Sequence, residues 1–342
     1  MSEPKSGFRV RRVGFRHGSD AELAAMHLVE TEIESERCPG SEPQPLASYM
    51  RFARNLPSLF DDHTWVADLG DGTPIGCGAC WSNSAGDAGH MESYVYVRRP
   101  MRRRGVGSAL AREVLRTAIE EGRSSISWST YDTIPAGESF SKSLGGSVGR
   151  VSRNSELQVA RLDLNQLDSW IASARLRAHG YRLQFWDGPY SNELLGAAAN
   201  FHRLMNTQPR DAMATGDIRI DADHVAELDR ALQEAGRDRW TVFVRNPSGN
   251  AIGGTEVVFE PWAPAVVQQM NTAIDPAHRG LGLAKWAKAE VLRRLHRERP
   301  AVAIVRTGNA FSNAAMLAIN DALGFEIVEV RTEWRLMVNP GT

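Results

Sequence analysis

The chain has 342 residues, of which 42% are hydrophobic and 24% charged, and its formal net charge is −1. This length suits two folded domains, and the composition excludes a disordered or fibrous protein. The charge excludes a global attraction to nucleic acid or to an anionic membrane, and no apolar run is long enough to span a bilayer. The N-terminal stretch is basic but lacks an apolar core, so we expect no secretory signal and a cytoplasmic location.

The first half predicts a mixed succession of helices and strands. A helix at 19–34 precedes a hairpin, because two strand-like segments flank a glycine-rich turn. A third strand with alternating aromatic and β-branched residues leads into a glycine-rich turn at 102–107 and a helix to about Glu121. The remaining elements are a strand at 124–130, a short helix ending at glycine, and two further strands up to about Val159.

The second half predicts the same order of elements. A helical stretch at 191–206 is followed by a hairpin at 239–259, a strand at 265–274, a turn at 279–284 and a helix. A strand, a helix closing on Gly324 and the last strands complete it. The predicted domains are therefore 1–160 and 181–342, joined by a linker at 161–180, with a mixed α+β fold in each.

The three cysteines do not indicate a metal or redox site. Cys77 and Cys80 lie on a predicted strand, where residues three apart point to opposite faces, so they cannot grip one ion together. We expect them to be buried structural thiols. The nine histidines show no metal-ligand spacing, and we expect no metal.

The two halves are copies of one unit. Arg279 follows Arg102 by 177 residues, and the same offset carries Gly105 onto Gly282 and the segment 113–116 onto the identical segment 290–293. A constant offset over more than 40 residues indicates a duplicated domain rather than a solenoid.

The repeated turn predicts an anion site. A helix begins with unpaired backbone N–H groups and the positive end of its dipole, and small residues allow a ligand to approach them. Neither turn has the Gly-Lys-Ser/Thr of a Walker loop, and Leu110 stands where a dinucleotide fingerprint needs its third glycine. The duplication favours anion binding over a purely structural turn.

The pattern Arg-x-x-Gly-x-Gly/Ala, with an aliphatic residue five positions before the arginine, resembles the pyrophosphate-binding motif of the GNAT superfamily of acyl-CoA-dependent N-acyltransferases. The resemblance extends over both halves and implies two tandem GNAT domains, each with a mostly antiparallel central sheet flanked by helices. It also implies that the strand before each turn splays from its neighbour and pairs with the pantetheine arm of coenzyme A. The implied coenzyme-binding residues are Val97, Arg102, Arg103, Arg104, Gly105, Val106, Gly107, Ser108, Ile274, Arg279, Gly280, Leu281, Gly282, Leu283, Ala284 and Asn313.

The catalytic residues depart from the family pattern. Asn320 stands at the position of the family's tyrosine acid, and an amide gives up no proton at neutral pH. Glu92 is the candidate base, although it is one residue out of the usual register unless a bulge corrects it. The second half matches more of the family residues, so we expect it to be the catalytic one.

The resemblance implies transfer of an acyl group, in the first instance acetyl from acetyl-CoA, to an amine of a small molecule by direct attack in a ternary complex. Two alternatives stay open at the level of sequence. One is a thiol-precursor acetyltransferase of the mycothiol synthase type, and the other is a non-catalytic acyl-CoA-binding protein. We expect neither nucleic acid nor membrane as a partner.

Overall fold

The computed structural model of the protein describes residues 7–213 and 215–338. The first six residues of the N-terminal stretch, on which the expectation of no secretory signal partly rests, lie outside it. The elements of the first half are β1 (Phe8–Val13), α1 (Asp20–Arg37), α2 (Leu46–Arg54), β2 (Phe60–Leu69), β3 (Pro74–Asn83), β4 (His90–Val97), α3 (Val106–Glu120), β5 (Ser125–Tyr131), α4 (Ala136–Ser143) and β6 (Ser147–Gln158).

The second half repeats this order after one intervening helix. Its elements are α5 (Leu164–Arg177), β7 (Arg182–Asp187), α6 (Asn192–Arg203), α7 (Ala222–Glu234), β8 (Asp238–Arg245), β9 (Ala251–Phe259), β10 (Val266–Ile274), α8 (Leu283–Glu298), β11 (Ile304–Ala310), α9 (Ala314–Leu323) and β12 (Glu326–Met337). None of the helices in the described ranges is long and apolar enough to cross a membrane.

The chain divides into two compact units that do not follow the order of the sequence. Unit 1 consists of the described residues up to Val151, the described part of Asp211–Gly216 and the described residues from Arg331 onward. Its strands are ordered β1-β2-β3-β4-β5-β12. Every neighbouring pair is antiparallel except β4 and β5, which are parallel.

Unit 2 consists of Ser152–Arg210 and Asp217–Val330. Its strands are ordered β6-β11-β10-β9-β8-β7, and its one described parallel pair is β10 with β11. Each unit therefore has a mostly antiparallel sheet with helices packed against it, which confirms the predicted mixed α/β fold.

Three details of the first half differ from the sequence prediction. The helix α2 was not predicted. The segment up to Gln158 forms one strand, β6, rather than two, because Gly149 within it does not adopt positive φ and the strand continues through it. The strand β1 was not predicted, because three of its six residues are arginines. Arg9 and Arg11 form ion pairs with the buried carboxylate of Asp68 at 2.6 and 2.7 Å, which explains how so charged a segment lies at a sheet edge.

The cysteines on β3 are buried on opposite faces of the sheet, as predicted. Cys77 packs in a cluster with Met26 and Tyr49, whereas Cys80 packs in a different cluster with Leu110. Burial raises the pKa of both thiols, that of Cys80 to about 12, so neither is a reactive thiolate.

A buried lysine distinguishes the core of unit 2. Lys288 on α8 is 1% exposed, and its Nζ donates a hydrogen bond of 2.9 Å to Oδ1 of Asn320. The amide nitrogen of Asn320 donates in turn to Oδ1 of Asn309 at 2.6 Å. Desolvation lowers the pKa of Lys288 to about 7, because the charged form loses its hydration in this interior.

We expect Lys288 to make stability depend on pH. Its pKa is lower in the folded state than in the unfolded chain, so the unfolded state binds more protons between pH 7 and about pH 10 and folding becomes more favourable across that window. Lys288→Met should remove a gain of about 2 kcal/mol in the free energy of unfolding between pH 7 and pH 9. Urea titrations at the two pH values measure this difference.

The matched control is Lys285→Met, which removes a partly exposed lysine one turn away on the same helix. That variant should keep the pH dependence of the unmodified protein. An identical pH dependence in Lys288→Met would show that Lys288 is charged in the folded state throughout this range.

Candidate functional site

The glycine turn of unit 1 joins β4 to α3. After a short 3₁₀ turn at Arg99–Met101, the backbone enters the left-handed region at Arg103 (φ 62°) and again at Gly105 (φ 82°), the residue that begins α3. Glycine suits the second position because it adopts positive φ without strain. The first N–H groups of α3 lack a side-chain cap and point out of the helix end, as an anion site requires.

The turn of unit 2 has the same backbone. A 3₁₀ turn at Pro276–His278 leads to Gly280 (φ 84°) and Gly282 (φ 81°), and Gly282 begins α8 without a side-chain cap. A Cβ on Gly282 would lie 3.0 Å from Nη2 of Arg177, so that guanidinium reaches the turn. The repeat seen in the sequence is thus a repeat of backbone conformation.

The two motif arginines brace their turns. Nε of Arg102 donates to the carbonyl oxygen of Val97 at 3.0 Å, and Nε of Arg279 donates to that of Ile274 at 2.9 Å. The outer nitrogens of Arg102 bind Glu36, which lowers the pKa of that carboxyl. In unit 2 the corresponding nitrogen donates to Thr207. The spacing of five residues between aliphatic residue and arginine therefore has a structural cause.

Each turn lies beside a gap between two parallel strands. The pairing of β4 with β5 ends at Glu92 opposite Ser127, and that of β10 with β11 ends at Gln268 opposite Arg306. Beyond those residues the strands diverge, which confirms the predicted splay. An open strand edge can offer backbone groups to an extended ligand, although in unit 2 the carbonyl oxygen of Gln269 already accepts a hydrogen bond from Oγ1 of Thr307 at 3.1 Å.

A cavity in each unit includes the turn. In unit 1 it has a volume of about 540 Å³, and the predicted coenzyme residues that line it are Val97, Arg102, Arg103, Gly105, Gly107 and Ser108. In unit 2 it has a volume of about 760 Å³, lined among others by Ile274, Arg279, Gly280, Gly282, Leu283, Ala284 and Asn313. Three predicted residues do not line either cavity: Val106 is buried in the core, Arg104 is exposed to solvent, and Leu281 packs against the core of unit 2.

The two predicted asparagines have different places. Asn313 begins α9 at the rim of the cavity, accepts from the backbone N–H of Met316 at 3.3 Å, and donates to Gln208 at 2.8 Å. Asn320 is 1% exposed, does not line the cavity, and has both amide atoms bound to Lys288 and Asn309. This position suits a core residue and does not bring Asn320 to a reacting group.

Glu92 lies on β4 at the point where the splay begins. The pairing of β3 with β4 runs without a register shift from Gly76 opposite Val97 to Trp81 opposite Glu92, so no bulge moves its side chain. The bulge occurs instead in unit 2, between Gln269 and Thr272 of β10. Glu92 therefore lies on the sheet face opposite Val97, away from α3.

The carboxylate of Glu92 is accessible to solvent but surrounded by protein and by charged groups. Partial desolvation raises its pKa, and the charge of Glu333 acts in the same direction. Arg331 and Arg150 oppose this rise. A carboxylate that is accessible and has a raised pKa is suited to accept a proton near neutral pH.

Sequence reasoning missed two groups of unit 1. Tyr131 ends β5 and places its phenol at the cavity, with the guanidinium of Arg37 at 4.4 Å from its ring centre. Glu30 on α1 accepts hydrogen bonds from the hydroxyls of Tyr49 (3.1 Å) and Tyr94 (2.5 Å), and burial raises its pKa to about 7. The position of Tyr131, at the end of the strand after the repeated helix, was the available signal.

A cluster elsewhere in unit 1 contains residue types that can ligate a metal ion, but neighbouring cationic side chains already balance its charge. Oxygen and nitrogen atoms of Asp61, His63 and Glu121 lie within 4.8 Å of one another. Nδ1 of His63 contacts Arg12, its Nε2 contacts Glu121, and Arg123 pairs with the same glutamate. The cations beside it disfavour a bound metal ion.

Comparisons with known proteins agree with the fold described above. The sequence profile of the acetyltransferase (GNAT) family matches residues 29–145, most of the first half. A search of curated protein sequences finds no significant match.

Among solved structures, a tandem GNAT protein from the clavulanic acid biosynthesis pathway is 21% identical, with a TM-score of 0.78 over 98% of this chain and 100% of that one. A GCN5-related N-acetyltransferase from Sphaerobacter thermophilus is 12% identical, with a TM-score of 0.65 over 100% and 98% of the two chains. A putative acetyltransferase from Pyrococcus horikoshii is 13% identical, with a TM-score of 0.55 over 99% and 92%. At these identities the likeness establishes the fold.

We expect a carboxylate at either turn to abolish anion binding there. Gly105→Glu and Gly282→Glu each place negative charge and bulk at the helix end, so acetyl-CoA should lose about tenfold or more in affinity for that unit. Calorimetric titration of each variant measures the loss. Gly105→Ala and Gly282→Ala are the controls, because they impose the same left-handed strain without the charge. If both Glu variants kept full affinity for acetyl-CoA at both sites, the turns would be purely structural.

Proposed function

Because the chain is a tandem GNAT-fold protein whose first half matches the GNAT family, we propose that it transfers an acyl group, in the first instance acetyl, from coenzyme A to an amine of a small molecule. One observation carries this proposal. In each unit an uncapped helix end, preceded by a left-handed glycine, opens into a cavity beside two splayed strands. That arrangement offers donors for a pyrophosphate and free backbone groups for the arm attached to it.

The proposed reaction takes place in a ternary complex. The amine attacks the thioester carbon, the carbon–nitrogen bond forms, the carbon–sulfur bond breaks, and the coenzyme leaves as a thiolate that takes up a proton. A backbone N–H on the open edge of β4 stabilises the oxyanion of the tetrahedral intermediate. The coenzyme lies on the α3 side of the splay, so the amine approaches from the opposite side, the side of Glu92.

We assign the two proton transfers to unit 1. Glu92 accepts the proton that the amine loses, since its carboxylate is accessible and its raised pKa lies closer to neutrality. Tyr131 donates a proton to the leaving thiolate, since its phenol lines the cavity that holds the coenzyme arm. Tyr96 also lines this cavity, but burial raises its pKa so far that it holds its proton firmly.

The placement of these groups supports the first unit as the catalytic one, in contrast to the expectation from the sequence. In unit 2 the family's tyrosine position is occupied by the buried Asn320, and the cavity there has no phenol among its described lining residues, whereas that of unit 1 has Tyr131. Neither cavity has a carboxylate in its described lining, and Glu92 lies on β4 outside that of unit 1. The cavity of unit 2 is lined instead by basic groups, among them Arg177, Arg279 and Lys285. We therefore propose that unit 2 binds the acyl-coenzyme without transferring its acyl group.

The test is release of coenzyme thiol from acetyl-CoA in the presence of a panel of small amines. The full chain must be used, because unit 1 includes the part of β12 from Arg331 onward. Turnover should be lost in Gly105→Glu and retained in Gly282→Glu, since only the first variant blocks the unit that carries Glu92 and Tyr131. Loss in Gly282→Glu alone would assign the chemistry to unit 2, and failure of acetyl-CoA to bind at millimolar concentration would refute the function.

The pH profile should separate the two proton-transfer roles. Glu92→Gln should remove the rise in rate through the pKa of Glu92 and lower kcat by about a hundredfold, whereas Tyr131→Phe should lower kcat but keep that rise. Both variants should keep the affinity for acetyl-CoA. Rate measurements between pH 5 and pH 9 test this, with Glu30→Gln as the control because Glu30 also titrates near pH 7. If the rate of Glu92→Gln rises with pH in the same way as that of the unsubstituted protein, Glu92 is excluded as the base.

A further inference from the structure

The cavity of unit 1 extends well past the glycine turn and the splay. The same continuous space is lined by Ala111 and Val114 on the inner face of α3, by Ile126 and Trp128 on β5, and by Leu336 on β12. Ala111 and Val114 lie between one and three helical turns from the start of α3. We call the part of the cavity that these five residues line the apolar chamber.

The walls of the chamber leave few polar atoms unpaired. Nε1 of Trp128 donates to Oγ of Ser141 at 2.7 Å, and that hydroxyl donates to the carbonyl oxygen of Gly137 at 2.9 Å. Ala111 and Ser141 are both small, and the cavity reaches them between α3, α4 and β5. A space of this kind favours a hydrocarbon group over water, because water would find few hydrogen-bonding partners in it.

The described cavity of unit 2 does not extend into the corresponding space, and the duplication shows why. The offset of 177 residues places Lys288 at the position of Ala111. When Leu144-Gly145 after α4 is aligned with Leu323-Gly324 at the end of α9, Asn320 corresponds to Ser141. The lysine side chain and the asparagine fill the space and bond to each other. The cavity of unit 2 is accordingly lined around its turn and the start of α9, without Lys288, Val291 or Leu292.

We propose that the apolar chamber holds the hydrocarbon chain of an acyl group longer than acetyl, and that Ala111 sets this specificity. The inference rests on the proposed function, since it requires an acyl-coenzyme on the turn of unit 1. The chamber adjoins the splay, where the thioester lies, so a chain attached to the thioester carbon extends into it. The bond changes are those of the acyl transfer described above, with the chain carried unchanged to the amine.

The first test compares acetyl-CoA, butanoyl-CoA and hexanoyl-CoA by calorimetric titration of the full chain. Gly282→Glu leaves unit 1 as the observed site, and Gly105→Glu leaves unit 2. Each buried methylene contributes about a fourfold gain in affinity, so hexanoyl-CoA should bind unit 1 more tightly than acetyl-CoA by about tenfold or more. Unit 2, where Lys288 fills the space, should show less than about threefold preference.

The second test narrows the chamber. In the Gly282→Glu background, Ala111→Leu should bring the ratio of the dissociation constants for acetyl-CoA and hexanoyl-CoA close to one. Arg112→Leu, a substitution of an exposed residue on the same helix turn, should leave that ratio unchanged. Thermal shifts of the chain without any substitution give an independent measure, with hexanoyl-CoA expected to raise Tm more than acetyl-CoA at equal concentration.

The outcomes separate the two proposals. Equal affinity of unit 1 for acetyl-CoA and hexanoyl-CoA overturns the chain-binding role and leaves acetyl transfer intact. A preference that survives Ala111→Leu also overturns it, because the chain would then lie elsewhere. If no acyl-coenzyme binds, the proposed function fails, and this inference fails with it.

Discussion

Each site depends on the point at which two parallel strands stop pairing. A strand inside a sheet has its backbone groups satisfied by neighbours, so it offers nothing to a ligand. In both units a few paired residues hold the two strands together, and the following residues separate on either side of a cavity. The helix that follows the first of the two strands begins at the mouth of this gap. The open strand edge and the helix end beside it are thus products of the topology that both units share.

The two copies have the same backbone conformation at the turn but different side chains around the cavity. The arginine that bonds to the end of its strand and the left-handed glycine recur, because both hold the turn itself. The side chains around the rest of the cavities differ. Unit 1 has an alanine and a tyrosine in its cavity lining, and unit 2 has a buried lysine bonded to an asparagine. The two copies therefore share the turn with its arginine and glycine and differ at the surrounding positions.

The sequence predicted what depends on local spacing and missed what depends on tertiary packing. The turn, the helix after it and the faces of Cys77 and Cys80 follow from glycine positions and strand alternation. The burial of Asn320 could not be read from the sequence, because it depends on which residue of a different helix points at it. The bulge in β10 could not be predicted either, because both copies have the same number of residues between the strand and the turn. Tyr131 could be found only from its position at the end of the strand after the repeated helix, because no motif surrounds it.

The composition of unit 1 has a consequence for how the protein is made. Strand β5 pairs with residues 331–337 of β12, so Tyr131 lies opposite a residue 200 positions later in the chain. Such a distant pairing closes a long loop and is slow to form. While the ribosome is still synthesising the second half, β5 therefore lacks one of its neighbours. That edge of β5 stays unpaired until residues 331–337 have been synthesised, and an unpaired strand edge is prone to pair with other chains.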